Sequence, residues 1–220
     1  MKALTLKELR EVFGIAAAAL AGYLALVVNL MGAKVFDWVP AMPAGTREVP
    51  FTGSSFTVFF TFVSVVFAAA LGFRQSATES ARGTYLFLLH RPLRRETIFL
   101  TKLATGAALL LVGGGGPLLW YIAWAATPGH HPGPFAWSMT GPAWRVYLLT
   151  PLVYLGAFLS GLRPADWFGT RLLPLVGVAA LGVALVFVPW WWPVGLPATA
   201  ALYAALVAII CHVARTRDYA

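Results

Sequence analysis

The sequence predicts an all-α integral membrane protein with six transmembrane helices plus short amphipathic interfacial or coupling helices. Of its 220 residues, 60% are hydrophobic and only 11% are charged, whereas soluble domains are roughly 45–50% apolar and about 25% charged. A charge at the centre of a spanning helix costs about 2.5–3.5 kcal/mol, and several long runs carry none. These runs are 12–33, 49–73, 103–144, 146–162 and 172–214. The composition excludes a soluble globular enzyme and, with 14% aromatic residues, a disordered chain.

Six spans fit into these runs. Crossing the hydrocarbon core takes about 20 residues, so 172–214, which would be about 64 Å long as one helix, must fold back. The turn is predicted between Pro189 and Pro193. Thr127 to Pro142 is rich in Pro and Gly and is predicted to be a loop. Within one transmembrane domain, 1–220, the predicted spans are 12–33, 54–73, 98–126, 145–162, 171–189 and 194–213.

Residues 2–11 form a charged segment with leucines at positions 4, 6 and 9, and Thr5-x-x-Glu8 matches a capping box. The pattern predicts an amphipathic helix on the inner membrane surface that bends into the first span. A solvated tail is the alternative. The residues assigned to the interfacial helix are Leu4, Lys7, Glu8, Leu9 and Arg10.

The distribution of positive charge predicts the orientation. Six spans place both termini on one side, and only Lys34, Arg47 and Arg145 then fall on the other side. The positive-inside rule makes the termini and the 74–97 loop cytoplasmic, in a bacterial inner or plasma membrane. The net charge of +8 is explained by topology and contact with anionic lipids, so no nucleic-acid partner is expected.

Several smaller features have structural interpretations. His130 and His131 supply too few ligands for a metal site, so we expect a solvated loop and no metal. Gly113–Gly116 lacks the Lys of a phosphate-binding loop; it predicts close helix packing or a kink, or else a lining of the transport path. Trp190–Trp192 is predicted to form an aromatic belt, and Cys211 to be a small buried residue.

The 74–97 loop holds the most informative pattern. Ser76-x-x-Glu79 is a second capping box, and Pro92 should end a helix near His90. The predicted 76–90 helix has one apolar face, formed by Ala81, Tyr85, Leu88 and Leu89.

This loop resembles the one between spans two and three in permease subunits of type-2 ABC exporters. The resemblance lies in three consecutive patterns: Glu79-x-x-Arg82-Gly83-Thr84, Leu88-Leu89-x-x-Pro92-x-x-Arg95, and Ile98 with Lys102. Arg215–Tyr219 is similar to the basic ending common after span six in that family. The chain departs from the family in its short length and in having no large extracytoplasmic domain.

The resemblance implies a transport subunit that is not itself an enzyme. Two permease subunits, identical or different, would pair in the membrane above two ATPase subunits that bind ATP and Mg²⁺; this chain would bind no cofactor. The 76–90 helix would dock in the ATPase. The residues assigned to this coupling are Glu79, Arg82, Gly83, Thr84, Tyr85, Leu88, Leu89, Pro92 and Arg95.

Few polar residues occupy the predicted spans, and none at mid-membrane is charged, which does not favour an ion-coupled carrier. The candidate pathway residues are Asn29, Thr61, Ser64, Tyr121 and Tyr154. A secondary carrier or channel working without an ATPase is the main alternative. An intramembrane enzyme would need a catalytic constellation, yet neither His-Glu-x-x-His nor Gly-x-Ser-x-Gly occurs. A structural anchor is the remaining class.

Single cysteines at positions 47 and 82, each in a Cys211→Ala background, test the orientation. A membrane-impermeant thiol reagent added to intact cells should label Arg47→Cys, and Arg82→Cys only after permeabilisation, because the positive-inside rule places them on opposite sides. Labelling of both positions from outside would contradict the topology.

Overall fold

The computed structural model describes residues 2–33, 35, 49–52, 54–81, 95–131, 133–163 and 168–216. Its long helices are α1 (Lys2–Leu30), α2 (Ser54–Ala81), α3 (Arg95–Ala126), α4 (Gly141–Leu162), α5 (Phe168–Val186) and α6 (Leu196–Thr216). A 3-10 turn, Trp137–Thr140, precedes α4, and a π-helical turn, Trp191–Gly195, precedes α6. No strand occurs among these residues. Six helices are long and apolar enough to cross a membrane, which confirms the predicted fold class.

The six helices fall into two length classes. α1, α2 and α3 have 29, 28 and 32 residues, or about 44, 42 and 48 Å. α4, α5 and α6 have 22, 19 and 21 residues, or about 33, 29 and 32 Å, close to the hydrocarbon thickness of about 30 Å. The first three would need tilts of about 44–51° to fit within the hydrocarbon core, beyond the observed range of roughly 0–40°.

The surplus length of α1–α3 coincides with their charged ends. These ends are residues 2–11, 74–81 and 95–102, which we call the stalk. Contacts between Arg74 and Glu11, and between Glu8 and Lys102, bring the three segments together at one end of the bundle. A hydrocarbon core that covers the charge-free part of each helix leaves most of the stalk outside it.

One predicted helix start is wrong, and the predicted interfacial helix is continuous with the first span. Residues 2–11 are helical as predicted, but α1 runs from Lys2 without a break, and Glu8 pairs with Lys102 of α3. α2 likewise runs through Ser76 to Ala81. The Ser76 hydroxyl donates to the Gly72 carbonyl, one turn earlier, at 2.7 Å. This bond satisfies the hydroxyl inside a continuing helix, and therefore no new helix begins at Ser76.

The chain folds back between α5 and α6 as predicted, because α5 ends at Val186 and the next turn starts at Trp191. The aromatic-belt prediction needs one correction. Trp190 and Trp192 are exposed, but Trp191 is only 1% exposed and lies 5.7 Å from the Arg145 guanidinium. The loop predicted for Thr127–Pro142 is also shorter than expected, since α4 begins at Gly141, with a proline in its first turn.

α2 and α4 form the most extensive helix pair of the described chain, and glycines allow their close approach. A Cβ atom added at Gly72 would lie 2.6 Å from the Tyr154 carbonyl oxygen, and one added at Gly161 would overlap the Ser76 hydroxyl. The two backbones therefore pack directly against each other, as small residues allow between spanning helices.

The glycine run in α3 also serves packing. α3 continues through it and through Pro117 without a break. Added Cβ atoms at Gly113 and Gly115 would lie 3.3 Å from the Phe67 ring and 2.7 Å from the Tyr147 hydroxyl. The run therefore receives aromatic side chains from α2 and α4, and the helix-packing interpretation is confirmed.

Gly72→Ala should destabilise the protein by about 1–3 kcal/mol, because the added methyl group must displace backbone atoms of α4. Gly182→Ala is the matched control, since its Cβ atom would meet nothing within 4 Å, and it should be neutral or slightly stabilising. Thermal unfolding in detergent measures both. Equal midpoints for the two variants would contradict the backbone contact.

Candidate functional site

A buried ion pair joins two helices that are distant in the sequence. The Lys102 ammonium lies 2.6 Å from a Glu8 carboxylate oxygen, and both side chains are 0% exposed. The two residues are 94 positions apart, on α3 and α1. Burying two charges costs several kcal/mol for each ion, which good geometry must offset. The sequence analysis placed Glu8 on the membrane surface and did not predict this pair.

The position of the pair bears on the expectation that no charged residue lies at mid-membrane. Lys102 lies about 10 Å from the start of α3 along the helix axis, and Glu8 lies near the start of α1. The pair is therefore at the base of the stalk, not at mid-membrane. The expectation concerned the centres of the spans, and this pair lies outside them.

The backbone of Lys102 connects two further helices. Its carbonyl oxygen accepts a hydrogen bond from the Gln75 side-chain amide of α2 at 3.3 Å. The Tyr154 hydroxyl of α4 donates to Gln75 Oε1 at 2.7 Å and lies 3.4 Å from the same carbonyl. Glu8, Gln75, Lys102 and Tyr154, which we call the Lys102 cluster, thus link α1, α2, α3 and α4.

Gly106 leaves room for this cluster. It follows Lys102 by one helical turn, and an added Cβ atom would overlap the Tyr154 hydroxyl and lie 2.8 Å from Gln75 Oε1. A lysine and a glycine four residues apart share one helix face. That spacing is the sequence signal that could have indicated a close contact beside Lys102.

Two further contacts hold the start of α3. Leu4 and Ile98 form a small apolar cluster of their own, separate from the main core. Arg215, at the end of α6, donates to both carboxylate oxygens of Glu96 at 2.7 and 2.8 Å. This pair is largely exposed, and screening by water therefore weakens its contribution. The first two turns of α3 therefore contact α1, α2, α4 and α6.

The predicted coupling residues are only partly within the described structure. Arg82, Gly83, Thr84, Tyr85, Leu88, Leu89 and Pro92 lie outside the described residues, so the 76–90 helix is not tested beyond Ala81. Glu79 lies in the last turns of α2, and Arg95 is exposed at the start of α3.

The predicted interfacial residues divide into two groups. Leu4 and Glu8 are buried against α3, whereas Leu9 and Arg10 are exposed. Lys7 is half-exposed and pairs with Glu11 at 3.5 Å, one turn later.

The candidate pathway residues Ser64 and Tyr154 border different cavities. Ser64 borders a small enclosed cavity and Tyr154 a separate apolar groove. Each of the five makes a local contact: Asn29 with the Val35 amide, Thr61 with the Thr57 carbonyl, Ser64 with the Tyr23 hydroxyl, Tyr121 with the Phe56 ring, and Tyr154 with Gln75. The contacts of Ser64, Tyr121 and Tyr154 join different helices, whereas those of Asn29 and Thr61 are local.

The two histidines lie in a loop that is exposed at His130, as predicted, and both contact the end of α3. His130 Nδ1 lies 2.9 Å from the Trp124 carbonyl, and His131 Nε2 lies 2.7 Å from the Ala125 carbonyl. Carbonyls in the last turn of a helix lack partners within it, so ring N–H groups satisfy them. Within the described part of the chain, no three His, Cys, Asp or Glu residues are grouped as metal ligands.

Breaking the buried pair should cost more than removing it. Lys102→Met leaves the Glu8 carboxylate buried without its cation and should destabilise the protein by about 3–5 kcal/mol. The double variant Glu8→Leu/Lys102→Met removes both charges and should recover most of this loss. Unfolding in detergent, monitored by circular dichroism, measures each variant.

Lys7→Met is the control for the loss of a lysine, because its pair with Glu11 is half-exposed and should contribute only about 0.3–0.5 kcal/mol. A Lys102→Met variant as stable as Lys7→Met would show that the buried pair does not exist.

The site offers a fixed ion pair and hydrogen bonds between helices. Its chemistry is suited to holding four helices in register.

Comparison with known proteins finds no family model, no curated protein and no solved structure that matches this chain.

Proposed function

We propose that this chain is the membrane-spanning permease subunit of an ATP-driven ABC-type exporter, coupled through its 76–90 segment to a separate ATPase. The main support is the position of the two ends of the sequence pattern that runs from Glu79 to Lys102. The pattern begins in the last turns of α2 and ends at Lys102, whose side chain is fully buried at the base of the stalk.

The geometry supports a mechanical role for this region. Residues 82–94 connect the end of α2 to the start of α3, so a force on this connection acts on both helices. Gln75 and Lys102 each lie within about two turns of it and are hydrogen-bonded to each other. Closure of an ATPase dimer beneath the stalk would move α2 and α3 as one unit.

The rest of the proposal follows from the same assignment. ATP and Mg²⁺ would bind to the ATPase, and a second permease subunit, identical or different, would complete the transporter. Both termini would lie in the cytoplasm, at the stalk end. Large apolar side chains on the outer surfaces of the helices, such as Phe13, Phe62 and Val112, are suited to contact with lipid.

The main alternative is a secondary carrier or channel. One observation favours it: Glu8 and Lys102 are ionisable groups buried within candidate spans, and such groups often belong to ion pathways. The alternative requires that the protein, reconstituted alone, moves solute without nucleotide.

A tagged copy expressed in its native host should co-purify with an ATP-binding protein. Leu88→Asp/Leu89→Asp should release that protein, because two carboxylates would replace the apolar residues expected to enter its groove. Affinity purification followed by mass spectrometry and an ATPase assay measures the association.

Ser138→Asp is the control, since it adds a carboxylate at an exposed site in the 3-10 turn that precedes α4 and should leave the ATPase bound. Retention of the ATPase by the double Leu variant would reject docking through this segment. Absence of any ATP-binding protein from the unmodified complex would reject the exporter assignment.

A further inference from the structure

The buried ion pair presents an energetic problem that stability alone does not solve. Paired charges in a protein interior are often no more stable than apolar residues of similar volume, so Leu and Met at these positions would give comparable stability without fixing the alignment of α1 and α3. A buried ion pair also fixes the register, that is, the alignment of one helix along the other, because separating the charges in a low-dielectric interior is unfavourable.

The contacts between α1 and α3 define such a register. Leu4 and Glu8 are one turn apart on α1, and their partners Ile98 and Lys102 are one turn apart on α3. A slip of one turn along α3 would place Glu8 opposite Ile98 or Gly106, neither of which is charged. The ion pair therefore permits only one alignment of the two stalk segments.

Lys102 contacts the neighbouring helices through two different groups. α2 and α4 reach Lys102 through its backbone carbonyl, whereas α1 reaches it through the side chain. A substitution of the lysine side chain thus removes the ion pair with α1 and retains the hydrogen-bonding atom used by α2 and α4.

We propose that Glu8 and Lys102 are positioning residues that make the first turns of α1 move with α3 when the ATPase displaces the 82–94 connection. This inference rests on the proposed function. The ion pair extends the nucleotide-driven movement to α1, which has no direct sequence connection to the docking segment. The role of the two charges is to transmit displacement between helices.

Amide hydrogen exchange of the complete permease–ATPase complex in lipid nanodiscs tests this role. Exchange is compared without nucleotide and after trapping with ATP and vanadate, in residues 95–102 and in residues 2–11. In the unmodified complex, trapping should change exchange in both segments. In Glu8→Leu/Lys102→Met, the change should persist in 95–102 and be lost in 2–11.

Two further variants keep the test decisive. The charge exchange Glu8→Lys/Lys102→Glu should restore the response of 2–11, since it rebuilds the pair with opposite polarity. Glu8→Gln, which keeps the size of the side chain and removes its charge, should lose the response as the double apolar variant does. Lys7→Met should behave like the unmodified complex.

The outcomes distinguish this inference from the proposed function. A nucleotide response in 2–11 that survives in the double apolar variant would overturn the positioning role and leave the exporter assignment intact. Unchanged exchange in 95–102 of the unmodified complex, with the ATPase bound, would overturn both.

Discussion

The low dielectric of the bundle interior is the constraint on which the stalk depends, because a lysine placed there must have its charge balanced. Lys102 meets this requirement through Glu8, and the helix that carries Glu8 is thereby fixed against α3. Gly106 removes the side chain that would exclude Tyr154. One buried charge thus determines which faces of the surrounding helices meet, and it does so at the end of the bundle nearest to the loop that carries the family resemblance.

The helices form two sets that differ in length and in charge. α4, α5 and α6 match the thickness of a bilayer, and α4 provides the backbone surface on which Gly72 of α2 packs. α1, α2 and α3 are longer and carry charges at one shared end. The shorter helices α4, α5 and α6 anchor the protein in the bilayer, and the longer helices α1, α2 and α3 extend toward the aqueous phase. Contacts from Tyr154 and Arg215 to the start of α3 connect the two sets.

The number of spans could be predicted from the sequence because exclusion of charge is a property of each run by itself. Helix ends were predicted less well. Thr5 and Ser76 match capping patterns, but the Ser76 hydroxyl is satisfied within its own helix, which local patterns do not distinguish. The Lys102 cluster was not predictable in the same way, since its members come from four helices and Glu8 is 94 positions from Lys102. The 82–94 segment, outside the described residues, remains a prediction.

The order of the paired residues along the chain has a consequence for biosynthesis. Membrane helices emerge from the ribosome from the N-terminus onward, so Glu8 is already present when Lys102 reaches the translocation machinery. A lysine that packs into the bundle without a counter-ion would be unfavourable, whereas Glu8 on the preceding α1 can pair with it as soon as α3 packs. Tyr154 and Gly161 arrive later, when α4 completes the packing. The first three helices can therefore assemble with their buried charge already compensated, before the second half has been translated.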